Sequence, residues 1–216
     1  MCGRLCIIDN EDFLELFRSL GIAGLDPPGS RYNVAPTQRL DVVTLDAEPR
    51  PSSMSWGFSM TVRGKTRPVT RRVSNARSDK VWSSPLWRSA IASHRALVPV
   101  TGFYEWRREA GKPVQAYFIS PAGQGGMWMA AVCRGGDTPE TSIVTTDANE
   151  AMSAIHDRMP VTLRSTNEAM AWLQADERDS LDALMAPAGE DALTFTEVSD
   201  YVNKSSNEGP RCIEPA

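Results

Sequence analysis

A chain of 216 residues, 41% of them apolar, is long enough to bury a well-packed core, and a single domain over 1–216 is the simplest division. No apolar run approaches the roughly 20 residues of a membrane span, and four scattered cysteines with only two histidines argue against a structural metal centre or a disulfide framework, so a soluble, cytoplasmic protein without metal or cofactor is expected. The formal net charge of −4 conceals an asymmetry: eleven basic residues against Asp79 and Glu105 give +9 over 63–108, whereas nine acids against Arg178 give −8 over 166–200. This is the pattern of a localised anion-binding surface, or of a basic face paired with an acidic one.

The chain opens Met1-Cys2-Gly3-Arg4. Loss of the initiator methionine leaves Cys2 with an α-amine beside its thiol, a 1,2-aminothiol whose groups titrate at about 7.7–8.0 and about 8.5 in reference peptides. Such a pair attacks an acyl carbon, or condenses with an aldehyde, the amine forming an imine that the thiol closes to a thiazolidine. The plain alternative is a small buried hydrophobe at the start of a strand.

A strand is expected over 4–8. Asn10 then caps an amphipathic helix built on Phe13, Leu14, Leu16, Phe17 and Leu20 and stopped by Gly21. The turn-rich stretch 26–30 leads into Arg31-Tyr32-Asn33-Val34-Ala35-Pro36-Thr37-Gln38, which has neither helical nor strand periodicity and reads as a polar loop. Strands follow over 41–45 and 53–58, a basic loop over 64–73, and a polar hexad from Ser74 to Asp79. Ser84-Pro85 reads as the start of a helix over 86–93. Next comes a strand over 96–100, then Thr101-Gly102-Phe103-Tyr104-Glu105-Trp106, in which Glu105 interrupts an apolar, aromatic run. A carboxylate there is costly unless paired or neutral, a setting suited to proton transfer. Gly111-Lys112-Pro113 marks a hairpin into 114–119, a turn over 123–126 leads to a strand over 127–132, and another strand spans 142–146. Asp147 is the expected cap of a helix over 148–154, which delivers His156-Asp157-Arg158-Met159-Pro160 into a loop. Ser165-Thr166-Asn167-Glu168 is a capping box, a further helix spans 180–185, a last strand spans 193–198, and the polar stretch 201–209 either closes over the site or trails.

Taken in order, Met1-Cys2-Gly3-Arg4, the segment 31–38, Trp56-Gly57, Asn75-Ala76-Arg77, Gly102-Phe103-Tyr104-Glu105-Trp106, His156-Asp157-Arg158-Met159-Pro160 and the blocks at 202–203 and 207–210 resemble the SRAP family, the SOS response-associated peptidases or abasic-site processing proteins. The resemblance spans nearly the whole chain. It implies an α+β fold with a mixed, largely antiparallel bifurcated sheet, a barrel-like core and peripheral helices. It implies a monomer that, once Met1 is removed, bonds through Cys2 to the ring-opened aldehyde of an abasic site in single-stranded DNA, shielding the lesion. Glu105 is then the acid-base group that opens the sugar, His156 assists near the sugar phosphate, and Asn75 bonds Cys2 or the opening sugar. Arg4 and Arg77 hold phosphates, while Asn33, Pro36, Trp56 and Thr145 shape the strand path or stack bases. Two departures are visible: after Trp56-Gly57 the family pattern has a Pro and a second Trp, whereas Phe58-Ser59-Met60-Thr61-Val62 stands here, and Asp79 stands where the family commonly has Glu. The competing readings are a glutamine amidotransferase, which also begins Met-Cys-Gly but lacks its Asn-Gly oxyanion dipeptide here, a peptidase whose surest substrate is its own Met1, and a non-covalent single-strand binder.

Overall fold

The computed structural model describes residues 2–24, 29–63, 67–123 and 125–216. In chain order its elements are β1 (Leu5–Ile7), α1 (Glu11–Ser19), β2 (Arg31–Val34), β3 (Arg39–Leu45), β4 (Pro49–Trp56), β5 (Phe58–Arg63), β6 (Pro68–Val73) and β7 (Asn75–Arg77). There follow α2 (Arg88–Ser93), β8 (Arg95–Val100), β9 (Gly102–Glu109), β10 (Lys112–Pro121), β11 (Met127–Arg134), β12 (Glu140–Asp147), α3 (Glu150–Ser153) and β13 (Arg158–Pro160). The chain continues through β14 (Thr162–Leu163), α4 (Thr166–Gln174), α5 (Arg178–Leu184) and β15 (Leu193–Val198). None of the described helices is long and apolar enough to cross a membrane.

The strands form two main sheets. One runs β15-β10-β9-β1-β2, antiparallel throughout. The other runs β13-β12-β4-β3-β8-β11-β14, and a second pairing of β11 with β12, from Ala131↔Ile143 to Arg134↔Glu140, closes five of its strands into a ring. This is the α+β, barrel-like architecture expected from the resemblance. Inside the ring, β8 and most of β11 are buried on both faces, which their near-continuous apolar sequences require. Helices cover the outside: the Trp172 ring of α4 donates to the carbonyls of Ala96 and Ala131, and Phe17 of α1 meets Trp128 edge-on at 5.5 Å.

Local signals explain most helix boundaries. The Asn10 side chain accepts from the Phe13 amide at 2.9 Å, and Ser165 with Glu168 forms the reciprocal capping box. Three expectations are corrected. The helix after Ser84-Pro85 begins only at Arg88, because Ser84 closes a turn first, its carbonyl accepting from the Arg88 amide. Asp147 ends β12 and Asn149 caps α3 in its place, accepting from Met152. Segments 31–34, 68–73 and 158–160 are strands rather than loops; 64–66 and 26–28 lie outside the described residues. Strand β6 is exposed almost throughout, so it carries no apolar alternation to read.

The basic segment does not lie on one surface either. Arg95 is buried, and its guanidinium caps two helices, donating to Ile91 and Ala92 of α2 and to Trp172, Leu173 and Ala175 at the end of α4. Arg72 and Arg134 both bond Glu140, whose carboxylate also accepts from the Ser59 amide and hydroxyl. Among the described residues no ion pair joins 63–108 to 166–200.

Glu140 therefore anchors the β5–β6 hairpin to β12. Burial works against its charge, but the bonds from Ser59 and Arg134 prevail and hold the carboxyl below its ordinary value of 4.5. A depressed folded value means stability that is present above about pH 4.5 and lost as pH falls through the folded value. Glu140→Gln is expected to cost about 2 kcal/mol in urea unfolding at pH 7, with the gap to wild type narrowing below pH 4.5; a gap that is constant with pH contradicts the assignment.

Candidate functional site

Cys2 lies just ahead of β1 and is fully inaccessible, packed among the main core residues. Its main chain is held by β7, which is laid parallel to β12 in the register Ile143↔Asn75 and Thr145↔Arg77. From that strand Asn75, itself buried, donates through Nδ2 to the Cys2 carbonyl at 2.8 Å and to the Ser74 hydroxyl at 3.1 Å. The Asn75 Oδ1 is buried and accepts no hydrogen bond among the described residues.

Glu105 approaches the same cysteine from β9. Period-two alternation turns Phe103 toward the main core and Tyr104 and Trp106 toward a smaller cluster with Cys6, Val202 and Cys212, so Glu105 projects on the Phe103 side. It is 4% exposed. Gly102 makes this course possible: a Cβ there would stand 2.6 Å from the Ile119 carbonyl. Burial pushes the Cys2 thiol well above its ordinary value, the Glu105 carboxylate pushes it further, and a backbone hydrogen bond from Arg4 acts the other way.

The Arg4 side chain takes the opposite face. Its terminal nitrogen donates to Asn33 Oδ1 at 2.6 Å and to the Val202 carbonyl at 2.9 Å, with the guanidinium 5.7 Å from the Trp106 ring centre, and burial lowers its pKa. Asn33 Nδ2 reaches the carbonyls of Val202, Lys204 and Asn207, sharing two hydrogens among three acceptors. Trp106 Nε1 donates to Asn203 Oδ1 at 2.6 Å. The polar stretch after β15 thus closes against Arg4 and Asn33.

Two residues beyond Asn75, on the same face of β7 and about 7 Å along it, stands Arg77. Its side chain is half exposed and its Nε and one terminal nitrogen are taken by Asp79 at 3.0 and 3.1 Å, which leaves the other terminal nitrogen without a hydrogen bond among the described residues. The hydrogen bond from Arg77 holds the Asp79 carboxyl below its ordinary value. Asp79 also lies 3.7 Å from Arg158, a buried arginine that donates to the Thr145 carbonyl and to Asp147. His156, partly exposed, has Nδ1 3.0 Å from the Arg158 amide and 2.9 Å from Asp157 Oδ1, between a group that offers a proton and one that asks for it.

The structure therefore assembles Cys2, Asn75 and Glu105, and beside them Arg77 with Thr145 and His156 around Asp79 and Arg158. Arg4 and Asn33 form a third group behind the cysteine. Trp56 is fully buried, its Nε1 donating to the Ser74 carbonyl at 3.0 Å, and has no open face for a base. Thr145 is likewise buried. Pro36 is partly exposed on the turn between β2 and β3, where Thr37 adopts φ 79°. The sequence alone gives Arg158 no task; an arginine opening the buried strand with Met159 and Pro160 is the signal that it carries one.

A buried thiol held protonated predicts slow alkylation. With iodoacetamide, the Cys2 rate is expected to keep rising with pH through pH 9, and Glu105→Gln to raise it several-fold at pH 8 by removing a charge that opposes the thiolate; peptide mass spectrometry reads both, and an unchanged or lower rate in Glu105→Gln contradicts the coupling.

Comparison with known proteins shows the family. The family description SOS response associated peptidase (SRAP) matches residues 1–205. The abasic site processing protein YoqW of Bacillus subtilis is 30% identical, with 99% of each chain covered. The abasic site processing protein YedK of Escherichia coli is 29% identical over the full length of both. A crystal structure of a Bacteroides thetaiotaomicron protein superposes with a TM-score of 0.73 at 24% identity, covering 96% of this chain and 91% of that one, a likeness of fold. Matched over residues 1–205, the chain belongs to the SOS response associated peptidase family.

Proposed function

We propose that this protein processes abasic sites in single-stranded DNA by forming a covalent bond through Cys2. The observation that most supports this reading is the arrangement around one cysteine: Asn75 bonds its carbonyl while the Glu105 carboxylate acts on its thiol. The relatives named as abasic site processing proteins support the substrate.

On this reading Met1 is removed and the freed α-amine of Cys2 attacks C1 of the opened sugar. The amine nitrogen forms a bond to that carbon and the aldehyde oxygen leaves as water, giving an imine. The thiol then adds across the C=N bond: sulfur bonds to carbon and the thiol proton ends on the ring nitrogen. Glu105 moves that proton, and earlier transfers one within the hemiacetal to open the sugar. A thiol kept neutral by burial loses little here, because its proton leaves only as the carbon–sulfur bond forms. Arg77 offers its remaining terminal nitrogen to a phosphate, and Asp79 holds the fork in place. His156 lies beside that phosphate position, where a ring nitrogen can carry a proton. Hydrolytic removal of Met1 assisted by the same site, a peptidase step, and strand cleavage through the imine, a lyase step, belong to the same proposal.

Incubation with a single-stranded oligonucleotide carrying one abasic site is expected to give one denaturant-resistant adduct per protein by intact mass, shorter by the Met1 mass, and none from Cys2→Ala. Glu105→Gln is expected to slow the adduct by about 10²-fold with DNA affinity unchanged. An equal yield from Cys2→Ala refutes the proposal.

A further inference from the structure

The β5–β6 hairpin leaves and re-enters the fold at the reactive centre. It begins after Trp56-Gly57 and ends at Ser74, where Trp56 Nε1 bonds the Ser74 carbonyl, one residue before Asn75. Over residues 58–73 the sequence has five basic residues and no acid. Arg72 is spent at the base, donating to the Gly57 carbonyl and to Glu140. Arg63, Arg67 and Arg71 are exposed, and among the described residues none of them takes part in an ion pair. The register Arg63↔Pro68 and Met60↔Arg71 places Arg71 on the face with Val69, itself 42% exposed, and Arg63 on the other.

Three unpaired like charges on a two-stranded ribbon repel one another, and a ribbon alone is marginally stable. Here the anchor is the Glu140 cluster at its base, and no acid lies on the ribbon itself. We infer that the β5–β6 hairpin is a cationic arm that takes the phosphate backbone of a nucleic-acid strand outside the reactive centre. The inference rests on the DNA reading above and extends it from the reacting nucleotide to the flanking strand. Six-residue strands reach about 20 Å, enough to follow several phosphates away from Cys2. Val69 and the partly buried Met60 and Val62 present apolar contact to sugars or bases between those phosphates.

Edge protection is the competing role, since exposed cations on a ribbon also deter pairing with a second chain. The two roles separate by salt. Binding of the wild-type chain to an intact single strand of about 20 nucleotides, which cannot form the adduct, is followed by fluorescence anisotropy across salt concentrations. Neutralising all three residues, Arg63→Gln with Arg67→Gln and Arg71→Gln, is expected to make the log–log salt slope shallower by about 2, as about three lost phosphate contacts imply. Binding at low salt falls at least tenfold, and the three Arg→Lys changes together restore it. At saturating abasic DNA the adduct forms at the wild-type rate. A slope equal to wild type, no measurable wild-type binding, or a lost adduct at saturation overturns the arm. If wild type binds with the expected slopes but forms no adduct, the arm stands and the cross-linking reading fails.

Discussion

The hydrogen bond from Asn75 Nδ2 to the Cys2 carbonyl ties a terminal segment with no ladder of its own to a strand inside the second sheet. Because it uses the carbonyl, it fixes the main chain whatever state the thiol is in. β7 is only three residues long, so its own position depends on the parallel ladder with β12 and on the amide of Ile143 bonding the Ser74 carbonyl. Buried Asn75 must satisfy its amide somewhere; its Nδ2 does so with Cys2 and Ser74, while its Oδ1 accepts no hydrogen bond among the described residues and keeps its acceptor capacity.

Positive charge in this chain is divided among different tasks. Arg95 closes helix ends in the interior, Arg72 and Arg134 neutralise Glu140, Arg4 supports the clamp with Asn33, and Arg77 is aimed by Asp79. A count along the sequence sums these as one patch, yet only the residues left unpaired and exposed contribute an external field. The acidic stretch serves its own region in the same way: Asp182 accepts from the Trp82 indole and pairs with Arg178, whose guanidinium lies over that ring.

Legibility follows from how local the deciding interaction is. The Asn10 cap, the Ser165–Glu168 box and β15 were readable because their determinants lie within a few residues of one another. β2 has a loop-like sequence, since its strand character comes from pairing with β1 and from Asn33 reaching residues about 170 positions away. β13 is hidden from the sequence for the same reason, its partner being β12. At the site, Cys2 and Glu105 are legible as chemistry and Asn75 through the family resemblance, but their meeting is not, because the segment ahead of β1, β7 and β9 bring them together from distant parts of the chain. Trp56 shows the reverse: an aromatic beside glycine suggests a stacking surface, and only tertiary packing reveals its ring buried against Ser74.

That indole bond has a mechanical meaning. By joining residue 56 to residue 74 it staples shut the neck of the excursion between them, so what happens beyond the neck need not be transmitted to Asn75. The entropic cost of a longer loop rises only with the logarithm of its length. The excursion can therefore be lengthened, trimmed or recharged with little strain passed on to Asn75 and to the Cys2 carbonyl that it holds.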